Sequence, residues 1–243
     1  MRRSSEGSER YRYIRVNGTD LPYSVVRRDV KYPRLEFKTG ELVAVLPKSW
    51  KDETSLLDRK MDWISKKHAE IQNAVERFRS MKKNGRGLLI FGDFFDVSEN
   101  GALEIDFEGR HVRCDLTDGR QLKRLHDILR KKLLSELESS VREYCEKFDV
   151  KPNRIFIKKQ ETKWASCSSR GNLSFNFWLI CLPKELIRYV ACHEVVHLKE
   201  RHHNQAFWRE MEKEFENYRD MEKKLFEYWF FVQEYSRSMF QQA

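Results

Sequence analysis

The chain has 243 residues, of which 40% are hydrophobic, 13% aromatic and 35% charged, and its net charge is +9. This composition favours a folded, soluble protein over a disordered one, and the length suits one large domain or one domain with an appendage. No apolar run reaches the roughly 18 residues of a membrane span, and no apolar segment follows the charged N-terminus, so we expect a cytoplasmic protein without membrane contact.

Charge and cysteine content narrow the range of partners and of redox chemistry. Residues 183–243 contain ten Lys and Arg against eleven Asp and Glu, so the basic surplus lies in the N-terminal three-quarters of the chain. That surplus allows association with nucleic acid or nucleoprotein, although a solvated basic surface is the commoner cause. The five cysteines are scattered, with no C-x-x-C pair, so neither a disulfide framework nor a zinc ribbon is expected.

The N-terminal part alternates between strand-like and helix-like sequence. Asn-Gly and Thr-Gly pairs separate short β-rich runs over residues 11–47, which predicts antiparallel hairpins. Apolar residues at helical spacing predict a long helix over 52–83. Strand-like sequence returns over 88–116. We therefore predict a β-rich N-terminal region with one long helix over residues 1–118.

The C-terminal part begins with a second long helix. Leucines at spacings of three and four predict this helix over 120–148, and Pro152 marks the boundary that follows it. Strand patterns then occur over 154–158, 163–168 and 172–178. Helical patterns follow to the C-terminus. We expect these strands to form a small antiparallel sheet beside the first of the C-terminal helices.

That first C-terminal helix contains the sequence His193-Glu194-Val-Val-His197 in an apolar run, which predicts that the helix is buried. Positions i and i+4 lie on one helical face, roughly 5–6 Å apart at Cβ, so both imidazoles can reach one metal ion. Glu194 lies about 100° further round the helix, where its carboxylate can accept a proton from a metal-bound water. Histidine and glutamate are costly to bury without partners, so the pattern predicts the metal centre of a zinc hydrolase.

A catalytic zinc ion needs a third protein ligand, and the sequence leaves several candidates. His203 follows His197 by six residues, where a helix ending near Glu200 could turn back to the metal, and we favour it. His202 is one alternative. The other is a glutamate from the next predicted helix, with candidates Glu210, Glu212, Glu214 and Glu216. Three histidines would leave one open position for water.

These residues also resemble those of a known family. The chain is similar to the YgjP-like metallopeptidase family, which is related to the SprT-like and WLM zinc proteases. The similarity rests on His193-Glu194-Val-Val-His197-Leu198, His203-Asn204-x-x-Phe207-Trp208, Lys163-Trp164-Ala165-Ser166-Cys167-Ser168 and Leu173-Ser174-Phe175-Asn176. It implies His193, His197 and His203 as zinc ligands and Glu194 as the general base. Ala165 departs from the family pattern, which usually has glycine at that position.

The predicted fold class is α+β. An antiparallel, β-rich N-terminal region over residues 1–118 precedes a zincin-like metallopeptidase domain over residues 119–243, in which a small sheet packs on the helix of the HExxH motif. In proteases of this type, an edge strand over the metal hydrogen-bonds an extended peptide. The candidate substrate-binding residues are therefore Trp164, Ala165, Ser166, Cys167 and Asn176. An internal strand packed by Trp164 is the alternative to an edge strand.

Two functions fit these residues. The first is a zinc-dependent endopeptidase that hydrolyses peptide bonds through a metal-activated water, with Glu194 as general base. The second is a nucleotide pyrophosphatase, which would direct the same chemistry at the phosphoanhydride of a nucleoside triphosphate. Lys199 and Arg201 lie near the motif, but no glycine-rich anion-binding loop does, so we favour the peptidase. A non-catalytic binding module is disfavoured because Glu194 is retained.

Overall fold

The structure is a computed structural model that describes residues 12–38, 41–81, 87–99 and 101–240. Contacts within the chain divide it into two compact units, Met1–Glu76 and Arg77–Ala243. The functional division predicted between residues 118 and 119 stays a prediction. By contacts, the segment over residues 77–118 groups with the C-terminal part of the chain.

The first unit contains a four-stranded sheet. Its strands are β1 (Arg12–Val16), β2 (Thr19–Arg28), β3 (Arg34–Lys38) and β4 (Glu41–Pro47). They lie in the order β1-β2-β4-β3, so two antiparallel hairpins are joined by a parallel pairing of β2 with β4. Asn17 and Gly18 have φ of 49° and 82°, as a two-residue hairpin turn of type I′ requires. The predicted hairpins are present, and the parallel pairing is an addition to them.

Two helices follow this sheet, α1 (Thr54–Arg59) and α2 (Met61–Met81). The prediction of one continuous helix over 52–83 is wrong, because the chain breaks at Lys60. The Lys60 amide donates to the Leu57 carbonyl, which tightens the last turn of α1, and Lys60 itself leaves the helical region. Leu57 and Ile64, on either side of the break, are both buried in the core of this unit.

The second unit begins with a sheet of the same topology. Its strands are β5 (Gly87–Ile90), β6 (Asp93–Ser98), β7 (Glu104–Asp106) and β8 (His111–Arg113). They lie in the order β5-β6-β8-β7, again with two antiparallel hairpins joined through a parallel pair of inner strands. All four residues of β5 are buried, so this strand belongs to the main core.

The turn between β5 and β6 packs against the segment that leads into the HExxH helix. The Phe91 amide donates to the Ile180 carbonyl at 2.6 Å. Gly92 has φ of 86°, and a Cβ on it would lie 2.8 Å from Cγ of Pro183. Glycine is therefore required at position 92 both by the backbone conformation and by the close approach of the proline.

Helix α3 (Gly119–Phe148) confirms the predicted second long helix. The Asp118 side chain accepts from the Arg120 amide at 2.8 Å and caps its N-terminus. Asp149 ends the helix in the left-handed conformation. The leucines that predicted the helix form its buried face, and they are Leu125, Leu129, Leu133 and Leu137.

The third sheet contains β9 (Arg154–Lys158), β10 (Ala165–Cys167) and β11 (Asn172–Asn176), in the order β10-β11-β9. The expectation that this sheet is antiparallel throughout is wrong for one pair: β10 and β11 form an antiparallel hairpin, but β9 and β11 run parallel. The Asn153 amide donates to the Gly171 carbonyl at 2.8 Å, which aligns the starts of β9 and β11. The strand order places β10 at an edge of the sheet.

Three helices complete the chain: α4 (Lys184–Val196), α5 (Gln205–Glu214) and α6 (Tyr218–Phe240), with a 3₁₀ turn over Phe177–Cys181 before them. Helix α4 contacts α3, β10, α5 and α6, so it lies at the centre of the second unit. The α+β fold class is confirmed. None of the helices in the described residues combines the length and apolarity that a membrane crossing requires.

Candidate metal centre

Helix α4 carries the first part of the candidate site. Pro183 precedes the helix in an extended conformation, and apolar residues cover most of the helix surface. These residues are at most 4% exposed, and they are Leu186, Ile187, Val190, Ala191, Val195 and Val196. Because the helix is buried on several sides, His193 and Glu194 at its C-terminal end are held against the protein interior.

A reversal of the chain after α4 brings in the third histidine. The helix ends at Val196, earlier than the predicted end near Glu200, and the Glu200 amide closes the last turn by donating to the Val196 carbonyl. Asn204 then caps α5, because its side chain accepts from the Phe207 amide at 2.9 Å. His203 immediately precedes this cap and is thereby directed back towards α4.

The three histidines converge on one point. His193, His197 and His203 each offer a ring nitrogen, and these nitrogens all lie within 4.8 Å of one another. The Nε2 atoms of His193 and His203 are 2.9 Å apart. Neither His202 nor any of the four candidate glutamates joins this group among the described residues.

The nitrogen positions fit a divalent metal ion. Two nitrogens that each bind a tetrahedral zinc ion at about 2.0–2.1 Å lie about 3.3 Å from each other. Two neutral imidazoles whose lone pairs face each other at 2.9 Å are mutually unfavourable unless a cation or a shared proton lies between them. A cation at the meeting point of the three rings removes this conflict.

The outer nitrogen of His197 makes a hydrogen bond, and that of His193 faces a nearby carboxylate. His197 has Nδ1 3.0 Å from the Glu200 carbonyl oxygen, so Nδ1 carries the hydrogen and Nε2 is free to bind a metal. His193 has Nδ1 3.9 Å from Oε1 of Glu222 on α6. The Tyr189 hydroxyl donates to the same Oε1 at 2.6 Å, and Tyr189 is itself fully buried. A carboxylate beside the outer nitrogen of a ligand histidine is a common means of fixing its tautomer and orientation.

Burial also sets the protonation of these rings. It lowers the pKa of His193 to about 3, and the proximity of His197 and His203 adds to this effect. Burial is likewise the main cause of the lowered pKa of His197 and of His203. All three rings are therefore neutral at physiological pH, which is the form of imidazole that binds metal.

Glu194 is a carboxylate held in an apolar environment. It is 5% exposed, and its Oε2 atom is buried without a hydrogen-bond partner. Burial raises the pKa of Glu194 to about 8, with the charge of Lys163 opposing the shift. A buried polar atom without a partner is costly, and catalytic acids and bases are a frequent reason for one.

These groups open onto a cavity of about 420 Å³ beside β10. Its lining consists of Ala165, Ser166, Cys167, Ser168, Ser169, His193, Glu194, His197, Arg201 and His203. The structure therefore brings together the predicted metal ligands, Glu194 and three of the five candidate substrate-binding residues.

The structure does not bring Trp164 and Asn176 to this lining. The Trp164 indole nitrogen instead donates to the Leu225 carbonyl on α6 at 3.2 Å. Asn176 is fully buried, and its amide nitrogen donates to the carbonyls of Gln160 and Lys163 at 2.7 and 2.9 Å. Both side chains hold the segment before β10 in place, and their hydrogen bonds are made within the protein.

Strand β10 presents a free edge at the cavity. In the described residues it pairs only with β11. The Trp164 carbonyl and the Ser168 amide form hydrogen bonds with residues of β11. Because backbone groups alternate in direction along an antiparallel ladder, those of Ala165 and Cys167 point away from β11. The predicted edge strand is therefore present, with two residues whose backbone groups face outward.

Sequence reasoning missed Tyr189 and Glu222. Tyr189 lies four residues before His193 on α4, so the helical period alone could have placed it on the same face. Glu222 lies on a different helix, in a region without a recognisable motif. Only the packing of α6 against α4 brings it near the histidines, and no pattern in the sequence reports that contact.

This arrangement is typical of a zincin-type metal centre. It combines a pair of histidines one helical turn apart, a third histidine from the following loop and a neighbouring buried carboxylate. Comparison with known families agrees with this class. The YgjP-like metallopeptidase domain matches residues 31–228, and the chain belongs to this family. Membership supports metallopeptidase activity, and with it a divalent metal ion and a polypeptide substrate.

Other comparisons add little to the family match. No curated protein matches the chain. Among solved structures, one similar chain is the metallopeptidase zymogen of Pyrococcus abyssi abylysin, with 24% sequence identity. The match covers 37% of this chain and 90% of that chain, with a TM-score of 0.35.

Proposed function

We propose that this protein is a zinc-dependent endopeptidase whose site is formed by His193, His197, His203 and Glu194. The observation that carries the proposal is the convergence of three neutral imidazoles and one buried, unpaired carboxylate on a single cavity. The family of metallopeptidase domains to which the chain belongs supports the same conclusion.

The three histidines would hold the metal ion. A bound zinc ion supplies Lewis-acid polarisation of a peptide carbonyl and makes water more acidic. The Glu200 carbonyl orients the ring of His197 for this task, and the Glu222 carboxylate lies 3.9 Å from Nδ1 of His193. We infer that Glu222, fixed by the hydroxyl of Tyr189, is a positioning residue for His193.

Glu194 would act as the general base. Its unpaired Oε2 is available to take a proton from water as the water attacks the peptide carbonyl. The same oxygen would then deliver that proton to the leaving amide nitrogen. In the metal-free chain burial favours the protonated form of Glu194, and a cation held by the adjacent histidines would favour the ionised form that a base needs.

Strand β10 would hold the substrate. An extended peptide adding to a free sheet edge makes backbone hydrogen bonds with alternate residues, here Ala165 and Cys167. Such bonds fix the cleaved bond over the metal and make little demand on side chains, which suits an enzyme that acts on unfolded polypeptides. Association with nucleic acid through the basic N-terminal three-quarters of the chain stays a prediction.

The test combines metal analysis with a proteolysis assay. The purified protein should contain about one zinc ion per chain, and it should degrade an unfolded protein such as reduced, alkylated casein. Glu194→Gln should retain zinc and lose activity by about 10²–10⁴-fold, because glutamine cannot accept a proton. His203→Ala should lose most of the zinc. Glu185→Gln, which changes an exposed glutamate on the same helix, is the matched control.

Two results would count against the proposal. Turnover of casein at the wild-type rate by zinc-loaded Glu194→Gln would show that Glu194 is not the general base. Hydrolysis of nucleoside triphosphates in a parallel assay, without proteolysis, would favour the pyrophosphatase alternative. The lining of the cavity does not favour that alternative. Among the described residues Arg201 is its only Lys or Arg, whereas phosphate sites usually collect several cations or a helix N-terminus.

A further inference from the structure

Arg201 is a charged residue in the lining of the candidate active-site cavity. It follows the last turn after α4 and lines the same cavity as the three histidines. Its Nη2 atom donates to the Ser169 carbonyl at 3.0 Å, and Ser169 lies two residues beyond the last residue of β10. This hydrogen bond fixes the guanidinium group beside the continuation of the edge strand.

The charge of Arg201 is not neutralised by the protein in the described residues. No carboxylate there forms an ion pair with it, and the Ser169 carbonyl is its one hydrogen-bond acceptor. A guanidinium group has five N–H donors, so most of them remain available to a ligand. The other ionisable groups of the lining are neutral histidines, the thiol of Cys167 and the buried Glu194.

The direction of β10 determines which end of a bound peptide lies nearest to Arg201. The strand runs from Ala165 to Cys167 and then towards Ser169. A peptide that pairs with it in the antiparallel sense enters at the Ser169 end, so its residues N-terminal to the cleaved bond lie nearest to Arg201.

We propose that Arg201 is a specificity-determining residue that selects peptides with Asp or Glu on the N-terminal side of the cleaved bond. The inference rests on the proposed peptidase function and adds a substrate class to it. Arginine binds a carboxylate through two parallel N–H donors, which gives a directional preference that a distant surface charge would not give.

The hydrogen bond to Ser169 offers a simpler role for Arg201, which is to hold the turn after β10. The two roles differ in their response to a change of charge. A purely structural arginine would affect all peptides alike when it is replaced. A specificity-determining arginine changes the ratio between acidic and basic peptides, and reversal of its charge should reverse that ratio.

The experiment uses the full-length, zinc-loaded chain and a set of peptides that differ only by Glu, Gln or Lys at single positions around one cleavage site. Wild-type kcat/KM should favour Glu over Gln by about fivefold on the N-terminal side, the size expected of a partly exposed ion pair. Arg201→Gln should abolish this preference, and Arg201→Glu should favour Lys. Arg170→Gln removes an exposed arginine of the same β-hairpin that does not line the cavity, and it should keep the wild-type preference.

A peptide-binding measurement tests this inference separately from the proposed catalytic activity. Fluorescently labelled versions of the same peptides are titrated into zinc-loaded Glu194→Gln protein, and their dissociation constants are measured by anisotropy. The inference is supported if the Glu peptide binds more tightly than the Gln peptide and if Arg201→Gln removes this difference in the Glu194→Gln background. This result would support it even if the wild-type protein hydrolyses nothing. Cleavage without any acidic preference overturns the inference and leaves the peptidase intact. An acidic preference confined to the C-terminal side of the cleaved bond would also overturn the inference, as would one that survives in Arg201→Gln.

Discussion

Replacing Glu194 by glutamine should change the stability of the metal-free protein, relative to wild type, in the stabilising direction as pH rises from about 5 to about 8. In the folded chain, burial raises the pKa of Glu194 from its ordinary value of 4.5 to about 8. In the unfolded chain the group keeps its ordinary pKa, so between these two values the folded state binds more protons than the unfolded state. The contribution of Glu194 to stability is therefore lost as pH rises through this window, which is the opposite of a salt-bridged carboxylate.

The size of this effect follows from the two pKa values. One unit of pKa difference corresponds to about 1.36 kcal/mol, so the raised pKa lowers the stability of the folded state by roughly 3 kcal/mol at pH 7, where buried Glu194 is still mainly protonated, and by roughly 5 kcal/mol above pH 8, where it is ionised. Glutamine has nearly the same shape and does not titrate. It has a desolvation cost of its own, but that cost does not vary with pH. The informative quantity is therefore the change with pH in the stability difference between variant and wild type.

The assay is urea unfolding of EDTA-treated protein, followed by circular dichroism between about pH 5 and about pH 8. The free energy of unfolding of Glu194→Gln minus that of wild type should rise by roughly 3–4 kcal/mol across this range. Glu185→Gln, at an exposed position on the same helix, should show no such rise. A difference for Glu194→Gln that stays constant, or falls with increasing pH, would refute the reasoning from burial.

Two further predictions concern the surroundings of the site. Glu222→Gln should weaken zinc binding by about 10–100-fold in a chelator competition while the circular dichroism spectrum stays unchanged, because His193 loses the carboxylate beside its outer nitrogen. Wild-type zinc affinity in this variant would show that Glu222 does not position the ring. Gly92→Ala should lower the free energy of unfolding by about 2–5 kcal/mol, since it combines a strained φ with a steric clash against Pro183. A thermal unfolding midpoint equal to that of wild type would mean that the turn is not fixed as described.

The parts of the molecule that depend on local spacing were predictable from the sequence. Histidines at i and i+4 lie on one face of a helix whatever surrounds it, and the leucine stripe of α3 specifies its buried face. The hairpin at Asn17 and Gly18 is likewise specified by the turn residues alone. In each case the interacting groups are a few residues apart, so the periodicity of the element carries the information.

The parts that depend on packing between distant segments were not predictable. The parallel pairings of β2 with β4, β6 with β8 and β9 with β11 join strands that no turn connects directly. Asn176 illustrates the same limit for a side chain. A polar residue in this segment suggests a substrate contact, but here the buried amide of Asn176 donates to backbone carbonyls of the loop before β10. Which of the two roles applies depends on burial, which the sequence alone does not give.

The contact between the Phe91–Gly92 turn and Pro183 sets a lower limit on the fragment of this chain that could work as an independent enzyme. A fragment beginning at Gly119 would lack β5, of which Leu88, Leu89 and Ile90 pack in the same core as α4. It would also leave the Ile180 carbonyl without the Phe91 amide, just before the helix that carries the histidines. Such a fragment would expose apolar surface and loosen the start of α4, and it would be expected to aggregate. Efforts to obtain a minimal peptidase from this chain should therefore retain the sheet that begins at Gly87.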